Sequence, residues 1–351
     1  MSRSSGTIRI GIVGAGNNTR NRHIPGLKAQ PDVELVSVVN RSRQSSERAA
    51  AEHGIGRVHD HWRELVEADD VDAVLIGTWP YLHKPVTLAA LAAGKHVLTE
   101  ARLALNLAEA RAMLAASRAR PDLVTQVVPA AMTLGMDATI CRHIADGYVG
   151  DVLAVEHLGG GGFIDREAPA MWRDSAVYSG LNIGSLGITY ETIMRWVGPA
   201  TRVAAIGKTF VTTRRDNAGV AQAMQLPDHL EVLADMACGA TLHLQLSSVM
   251  GHGMAGTTIY GSEGTLRIAD GQLLGARRDD DALAPLPIPP AKPRPGELMP
   301  PGWRVEEEFC AAIRGEGAIE RNTFEIGVQY MAFTEAVHRS MAEDRTAPVE
   351  R

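Results

Sequence analysis

Ile8-Arg9-Ile10-Gly11-Ile12-Val13-Gly14-Ala15-Gly16-Asn17-Asn18-Thr19 is the stretch on which the fold class turns. An apolar run of strand length ends in a glycine pair. A Gly-x-Gly turn between a strand and a helix lets backbone N–H groups approach a pyrophosphate, and the helix N-terminus favours the anion. Gly14 and Gly16 meet this pattern, while the third glycine place holds Thr19. A glycine pair can also serve only a tight strand-to-helix turn. Position favours the dinucleotide reading: the strand opens the chain, and a second strand, Val33 to Val39, ends at a polar residue, Asn40.

Asn40 stands where an acidic side chain would hydrogen-bond the adenine-ribose hydroxyl of NAD. No carboxylate is there to repel a 2′-phosphate, and Arg41 and Ser42 offer a cation and a hydroxyl donor. The sequence therefore favours NADP, with NAD left open; the bland alternative is that Arg41 only decorates a helix start.

Outward from this site the pattern alternates. An alanine-rich helix is expected over 43–53, strands over 72–77, 96–99 and 123–128, and helices over 85–93 and 107–118. Short apolar strands alternating with helices imply a parallel sheet covered on both faces. The expectation is an N-terminal Rossmann domain over 1–128. Beyond about residue 130 the grammar changes: a helix over 136–145, a strand over 152–157, the glycine run Gly159–Gly162, then strands over 230–236, 240–249, 257–260 and 264–269. This predicts an α+β domain over 129–351 with a mostly antiparallel sheet. Helices at 305–314 and 324–343 close the chain and are free to pack back on the first domain. The proline-rich 284–302 is expected to be extended.

The composition narrows the function classes. The 351 residues suit two domains. Net charge is −6, which leaves no basic field for nucleic acid. No apolar run approaches the roughly 18 residues of a spanning helix, and the short polar N-terminus runs directly into a strand, so neither membrane span nor signal peptide is expected. Cys141, Cys238 and Cys310 lie far apart, outside metal-ligand spacing. Buried thiols in a reducing, cytoplasmic compartment are the expectation, with no metal site.

Thr78-Trp79-Pro80-Tyr81-Leu82-His83 and Ala92-Ala93-Gly94-Lys95-His96-Val97-Leu98-Thr99-Glu100 resemble the Gfo/Idh/MocA family over nearly the whole chain. His23-Ile24-Pro25, Trp172-Arg173, Arg195-Trp196 and Gly261-Ser262-Glu263-Gly264 agree. The resemblance implies hydride transfer between a nicotinamide and a sugar or polyol carbon, with a C-terminal domain whose open, mostly antiparallel sheet serves substrate binding and oligomerisation as a homodimer or homotetramer. It also implies a Glu-Lys-Pro motif whose lysine manages the proton. Here the motif reads Glu100-Ala101-Arg102, which removes the lysine and the proline. A non-proline cis bond costs roughly 2.5–4 kcal/mol, so the motif's cis bond is not expected. The second family motif, Asp-x-Gly-x-His-x-x-Asp, aligns with Ser185-Leu186-Gly187-Ile188-Thr189-Tyr190-Glu191-Thr192 and loses both carboxylates and the histidine. A one-residue slip would instead put Glu191 near the last aspartate.

Other groups must then handle the proton. The catalytic candidates are His83, Tyr190, Tyr178 and Arg102, against plainer readings of His83 as a helix-packing histidine and Tyr190 as a core aromatic. Trp172, Arg173, Asn182, Ser185 and Thr189 form the substrate-facing set; Arg102 and Arg173 would suit a carboxylate or phosphate on the ligand. The cofactor set is Gly14, Gly16, Asn17, Asn40, Arg41, Ser42, Thr78, Trp79, His83 and Glu100. The expected function is an NAD(P)-dependent oxidoreductase acting on a small polar hydroxy or oxo compound, with atypical proton handling. Two alternatives stay open: a nicotinamide-dependent lyase, epimerase or glycosidase without net oxidation, and a non-catalytic ligand-sensing or partner-binding protein.

Overall fold

The alternating apolar runs of the N-terminal third form strands β1 (Ile8–Val13), β2 (Val33–Val39), β3 (Arg57–Val58), β4 (Ala73–Ile76), β5 (His96–Thr99) and β6 (Thr125–Val127). In the computed structural model, which describes residues 6–290, 299–319 and 321–350, they pair in parallel in the order β3-β2-β1-β4-β5-β6. Ile10, Ile12, Leu75, Ile76, Val97 and Leu98 are buried, as strands covered on both faces must be. Local chemistry sets the helix ends. Ser42 caps Arg43–His53 by accepting from the Ser45 N–H, and Gly54 closes it at φ 65°. Asn106 caps Leu107–Ala119 through the Glu109 N–H at 2.9 Å.

The chain divides into unit 1, Met1–Ala131 with Lys292–Val328, and unit 2, Met132–Ala291 with Gln329–Arg351. In unit 1 the helix Val305–Arg314 packs on Ile24–Lys28. A Cβ on Gly26 would come within 2.7 Å of the Glu306 carboxyl, so only glycine admits this approach.

Unit 2 is built on β7 (Val152–Gly159), β8 (Ala200–Lys208), β9 (Thr213–Arg215), β10 (Ala221–Ala223), β11 (His229–Met236), β12 (Thr241–Ser247), β13 (Gly256–Gly261), β14 (Gly264–Ala269), β15 (Gln272–Arg277), β16 (Ala284–Pro285) and β17 (Ala347–Pro348). Except for the β9–β10 hairpin, they form one sheet in the order β16-β15-β14-β13-β7-β12-β11-β8-β17, antiparallel but for β7–β12. Leu230, Val232, Ala234, Leu242 and Leu244 are buried on one face. Alternation leaves Glu231, Leu233, His243 and Gln245 on the other. Helices Leu186–Val197 and Phe324–Glu343 meet β8. The Ala200 N–H donates to Tyr190 Oη at 2.7 Å, and the Ala205 N–H to Ser340 Oγ at 3.0 Å.

Two expectations change here. Cys310 is buried and Cys141 half-buried, but Cys238 is exposed, because it lies in the tight β11–β12 turn beside Gly239, whose φ is 93°. In the proline-rich stretch Ala284–Pro285 pair with β15, while 291–298 lie outside the described residues.

Unit 2 also buries a charged cluster. Arg195 Nε lies 2.9 Å from Asp137 Oδ2, and its Nη1 donates to both Glu191 oxygens at 2.7 and 2.9 Å. Trp196 Nε1 and the Thr133 hydroxyl donate to Asp137 Oδ1 at 2.8 and 2.7 Å. Glu191 therefore serves the fold rather than the slipped motif place. Arg195→Met would leave two buried carboxylates without their cation, a loss of about 3–5 kcal/mol. The urea midpoint should fall accordingly; an unchanged midpoint would refute the assignment.

Candidate active site

At the carboxyl ends of β1 and β4 the strand order reverses, which is where open α/β sheets form crevices. Unit 1 has a cavity of about 550 Å³ there, lined by Gly14, Gly16, Arg20, Asn40, Arg41, Ser42, Ser45, Arg48, Asp60, His61, Trp62, Thr78, Trp79 and Tyr81 among others. Gly14 has φ 92°, and a Cβ on it would lie 2.7 Å from Thr78 Cγ2. Gly77 has still less room: its Cβ would lie 2.0 Å from Thr19 Oγ1 and 2.3 Å from the Gly14 carbonyl oxygen. Thr19, at the third glycine place, donates its hydroxyl to that same carbonyl at 3.1 Å. The loop is thus closed by a side chain where the usual pattern has none.

The cavity gathers Gly14, Gly16, Asn40, Arg41, Ser42, Thr78 and Trp79 from the expected set; Asn17, His83 and Glu100 are not in its lining. Asn40 has a different task from the one expected. Its Oδ1 accepts from the Ala15 N–H at 2.7 Å and its Nδ2 donates to the Ser45 carbonyl at 2.9 Å, so its amide shapes the loop. Sequence reasoning missed Arg20, Ser45, Arg48 and the Asp60-His61-Trp62 turn. The turn follows a two-residue strand too short to show a period.

His83 is fully buried. Its Nδ1 lies 3.0 and 3.2 Å from the carbonyl oxygens of Arg102 and Leu103, and its Nε2 lies 3.0 Å from that of Thr78. Burial pushes its pKa down, against the opposing pull of these carbonyls and Glu100. The expected catalytic role is corrected: the ring is occupied in joining the loop after β4 to that after β5. The Ala101–Arg102 peptide is cis, contrary to the expectation from the missing proline. Arg102 is buried at 5% exposure.

Glu100, which directly follows β5, is the centre of a network. Its Oε1 accepts from His23 Nε2 at 3.0 Å and from Asn18 Nδ2, and its Oε2 from the Ala101 N–H at 3.3 Å. His23 Nδ1 lies 2.6 Å from Glu306 Oε1, and Trp303 Nε1 donates to Glu306 Oε2 at 2.8 Å. Burial alone would raise the Glu100 pKa, but the His23 hydrogen bond and charge outweigh it and hold the carboxyl below its ordinary range. His23 was visible only as part of a family pattern, and Glu306 and Trp303 carried no local signal.

In unit 2 the expected residues separate. Trp172 and Arg173 stack, with the guanidinium carbon 4.2 Å from the ring centroid, and Tyr178 is 39% exposed. Asn182 is fully buried, donating to the Ser179 carbonyl at 2.6 Å. Thr189 is buried and donates to Ser185 Oγ at 3.2 Å in the first turn of its helix. Both side chains serve local structure rather than the expected substrate contacts. Tyr190 is corrected too. It is fully buried, stacks on Phe333 at 3.6 Å between centroids, and has its hydroxyl engaged by Ala200. Burial raises its pKa against that hydrogen bond.

Residues 8–127 match the family model described as "Oxidoreductase family, NAD-binding Rossmann fold", and residues 138–267 match that of the GFO/IDH/MocA C-terminal domain. The chain is similar to 1,5-anhydro-D-fructose reductase of Ensifer adhaerens, 42% identical over 110 residues, which is 31% of this chain and 33% of that one. It thus spans about a third of that relative. It is 28% identical to dTDP-3,4-didehydro-2,6-dideoxy-alpha-D-glucose 3-reductase of Streptomyces antibioticus over 74% of this chain and 75% of the other. In structure it is similar to levoglucosan dehydrogenase in complex with NADH, with a TM-score of 0.86, 20% identity and coverage of 98% and 100%. An oxidoreductase domain protein from Kribbella flavida gives a TM-score of 0.84, 24% identity and coverage of 99% and 100%. At such identities the structural likeness is one of fold.

The core position of Tyr190 is open to test. Tyr190→Phe leaves the buried Ala200 N–H without its acceptor, which should cost about 1–3 kcal/mol. The thermal midpoint should fall while cofactor affinity and kcat stay unchanged; a loss of kcat with unchanged stability would return Tyr190 to the chemistry.

Proposed function

The chain belongs to the Gfo/Idh/MocA oxidoreductase family, and we propose that it is an NADP-preferring oxidoreductase of a small polar hydroxy or oxo compound, a sugar, polyol or related acid. In this reading the proton moves without the family's usual lysine, aspartates and histidine. The observation that carries it is the cradle at the β1–β4 switch point, where Gly14 and Gly77 leave no room for a Cβ and the space opens on Arg41 and Ser42.

That cradle fits a dinucleotide pyrophosphate, which backbone N–H groups can approach there. Bound, the nicotinamide supplies the hydride donor or acceptor. Arg41, Ser42 and Arg48 would hold a 2′-phosphate, since Asp60, the carboxylate among the lining residues nearest in sequence to β3, is already paired with Arg43 at 3.0 Å. Thr78 and Trp79 border the same space, and Asn17 and Glu100 complete the proposed cofactor set. For the substrate, Arg102 stays charged at any working pH and so can stabilise an oxyanion but cannot act as a base. Tyr178 supplies a phenol to move the proton. Trp172, Arg173 and Ser185 complete the set, and Arg173 suits an acidic substrate.

The open face of the unit 2 sheet supports a homodimer or homotetramer. Ile206 and Leu233, on β8 and β11, are 62% and 60% exposed, and Tyr260 on β13 is 40% exposed, beside the ion-paired His243 and Glu231. The exposed free thiol of Cys238 suits a reducing, cytoplasmic setting. Among the described residues no helix is long and apolar enough to cross a membrane.

Two measurements test this reading. Arg41→Ala should weaken NADPH binding at least about tenfold, or about 1.4 kcal/mol, and leave NADH binding nearly unchanged by fluorescence titration; equal losses would remove the 2′-phosphate assignment. Leu233→Glu should lower the molar mass in light scattering toward the monomer without lowering the thermal midpoint. A wild-type protein already monomeric would end the oligomer proposal.

A further inference from the structure

His23 is fully buried, with Glu306 Oε1 2.6 Å from Nδ1 and Glu100 Oε1 3.0 Å from Nε2. Ionised carboxylates only accept hydrogen bonds, so with Glu100 and Glu306 both charged each ring nitrogen donates and the ring is an imidazolium, held by two negative charges that the carbonyls around His83 do not supply. Burial alone would lower the pKa of this ring, but hydrogen bonds and charge from Glu100 and Glu306 outweigh it and carry it up to about 10. Trp303 lies 5.7 Å from the ring and donates to Glu306, with the Arg22 guanidinium 5.2 Å from the Trp303 centroid. On the far side, Glu100 accepts from Asn18 Nδ2, and His83, whose pKa burial pushes down, faces backbone carbonyls. Asn18 is two residues beyond Gly16 of the cradle, and the Glu100 N–H donates to the Ile76 carbonyl at the end of β4 at 2.9 Å. The network thus runs from the helix Val305–Arg314 to the loop that opens the dinucleotide cavity.

We propose that His23 is a positioning residue for cofactor binding: held as an imidazolium between Glu306 and Glu100, it keeps Glu100 charged and in place beside the loop that opens the dinucleotide cavity, so that cofactor affinity does not vary with pH across the working range. This rests on the assignment of Glu100 to the cofactor set. Glu306 acts at one remove, by keeping the proton on His23, and Trp303 keeps Glu306 in line. A merely structural role would need only two hydrogen bonds at this place, and a glutamine in place of Glu306 can still accept from Trp303 and donate to Nδ1 of a neutral His23. The positioning role needs the charge, which glutamine cannot supply.

The test uses the full chain and whichever of NADPH or NADH binds the wild type more tightly, with Kd measured from pH 6 to 9. The wild type should give a flat profile, and its ¹⁵N spectrum should show a His23 ring protonated at both nitrogens to pH 9. Glu306→Gln removes one carboxylate and lets the ring lose its proton within this range, so Kd should rise at least tenfold from pH 6 to 9. His23→Gln should bind weakly at every pH, with a flat profile. A flat Glu306→Gln profile beside a weakened Glu100→Ala would overturn the role of His23 and leave the Glu100 assignment standing. Unchanged affinity in Glu100→Ala would instead overturn that assignment and, with it, the positioning role. If Glu306→Gln does not fold, the wild-type spectrum decides: a ring that deprotonates below pH 8 refutes the proposal.

Discussion

The ends of β1 and β4 approach so closely that residue 77 has no space for a side chain: a Cβ there would overlap the Thr19 hydroxyl and the Gly14 carbonyl. Much of unit 1 follows from that constraint. Because Gly77 is bare, Thr19 can stand where the usual fingerprint has glycine and tie the loop with its hydroxyl. The chain then leaves the loop as a π-wound turn, Thr19–His23, before Pro25 starts the short helix Ile24–Lys28. That path brings His23 inside, within reach of Glu100 beyond β5 and Glu306 on a helix almost three hundred residues later. One close backbone approach thus shapes the cavity and also sets the place of the buried charge beside it.

The parts legible in the sequence are those whose cause is local. Apolar runs of strand length and the glycine pair that ends the first of them are written in adjacent residues, and they suffice for a parallel sheet and for the dinucleotide reading of its first turn. The strand β3 has two residues and no period to read, so the Asp60-His61-Trp62 turn that helps to line the cavity was invisible. Direction was a second blind spot. Asn40 lies where a ribose contact was expected, but its amide turns to Ala15 and Ser45, a choice made by the loop's unpaired backbone groups. Partners distant in sequence were the third. His23 and Glu306 lie 283 positions apart, and nothing near either residue announces the other.

The titratable residues around the altered motifs show why side-chain type alone misleads. Buried polar groups must be paired, and buried charges must meet opposite charge. Glu191 looks like an active-site group once the motif is slipped by one residue, yet it pairs with Arg195, which also pairs with Asp137, within unit 2. His83 sits in a segment with strong family likeness, yet its nitrogens face three backbone carbonyls. The Tyr190 hydroxyl satisfies a strand N–H. Each of these groups has a partner in the fold that a motif alignment does not show.

Two buried clusters, one in each unit, place a cation between two carboxylates: Arg195 between Asp137 and Glu191, and His23 between Glu100 and Glu306. Only the second cation can lose its proton at ordinary pH. Its pKa is raised from 6.5 to about 10. The stability this gives is therefore full below about pH 6.5 and is lost as pH rises through about 10. A guanidinium would hold its charge at any pH, but it is a fork of five donors that suits bidentate pairing, as Arg195 makes with Glu191. Imidazolium presents one N–H at each side of a flat ring, which matches two single carboxylate oxygens approaching from opposite elements. It fills the narrow gap behind Glu100 with one donor per partner and none left over. Geometry thus favours histidine, and the paired carboxylates make up for its weaker hold on the proton. The fold secures Glu100 through a group that would be neutral in water near pH 7, and the charge beside the cofactor loop depends on Glu306, from the far end of the chain.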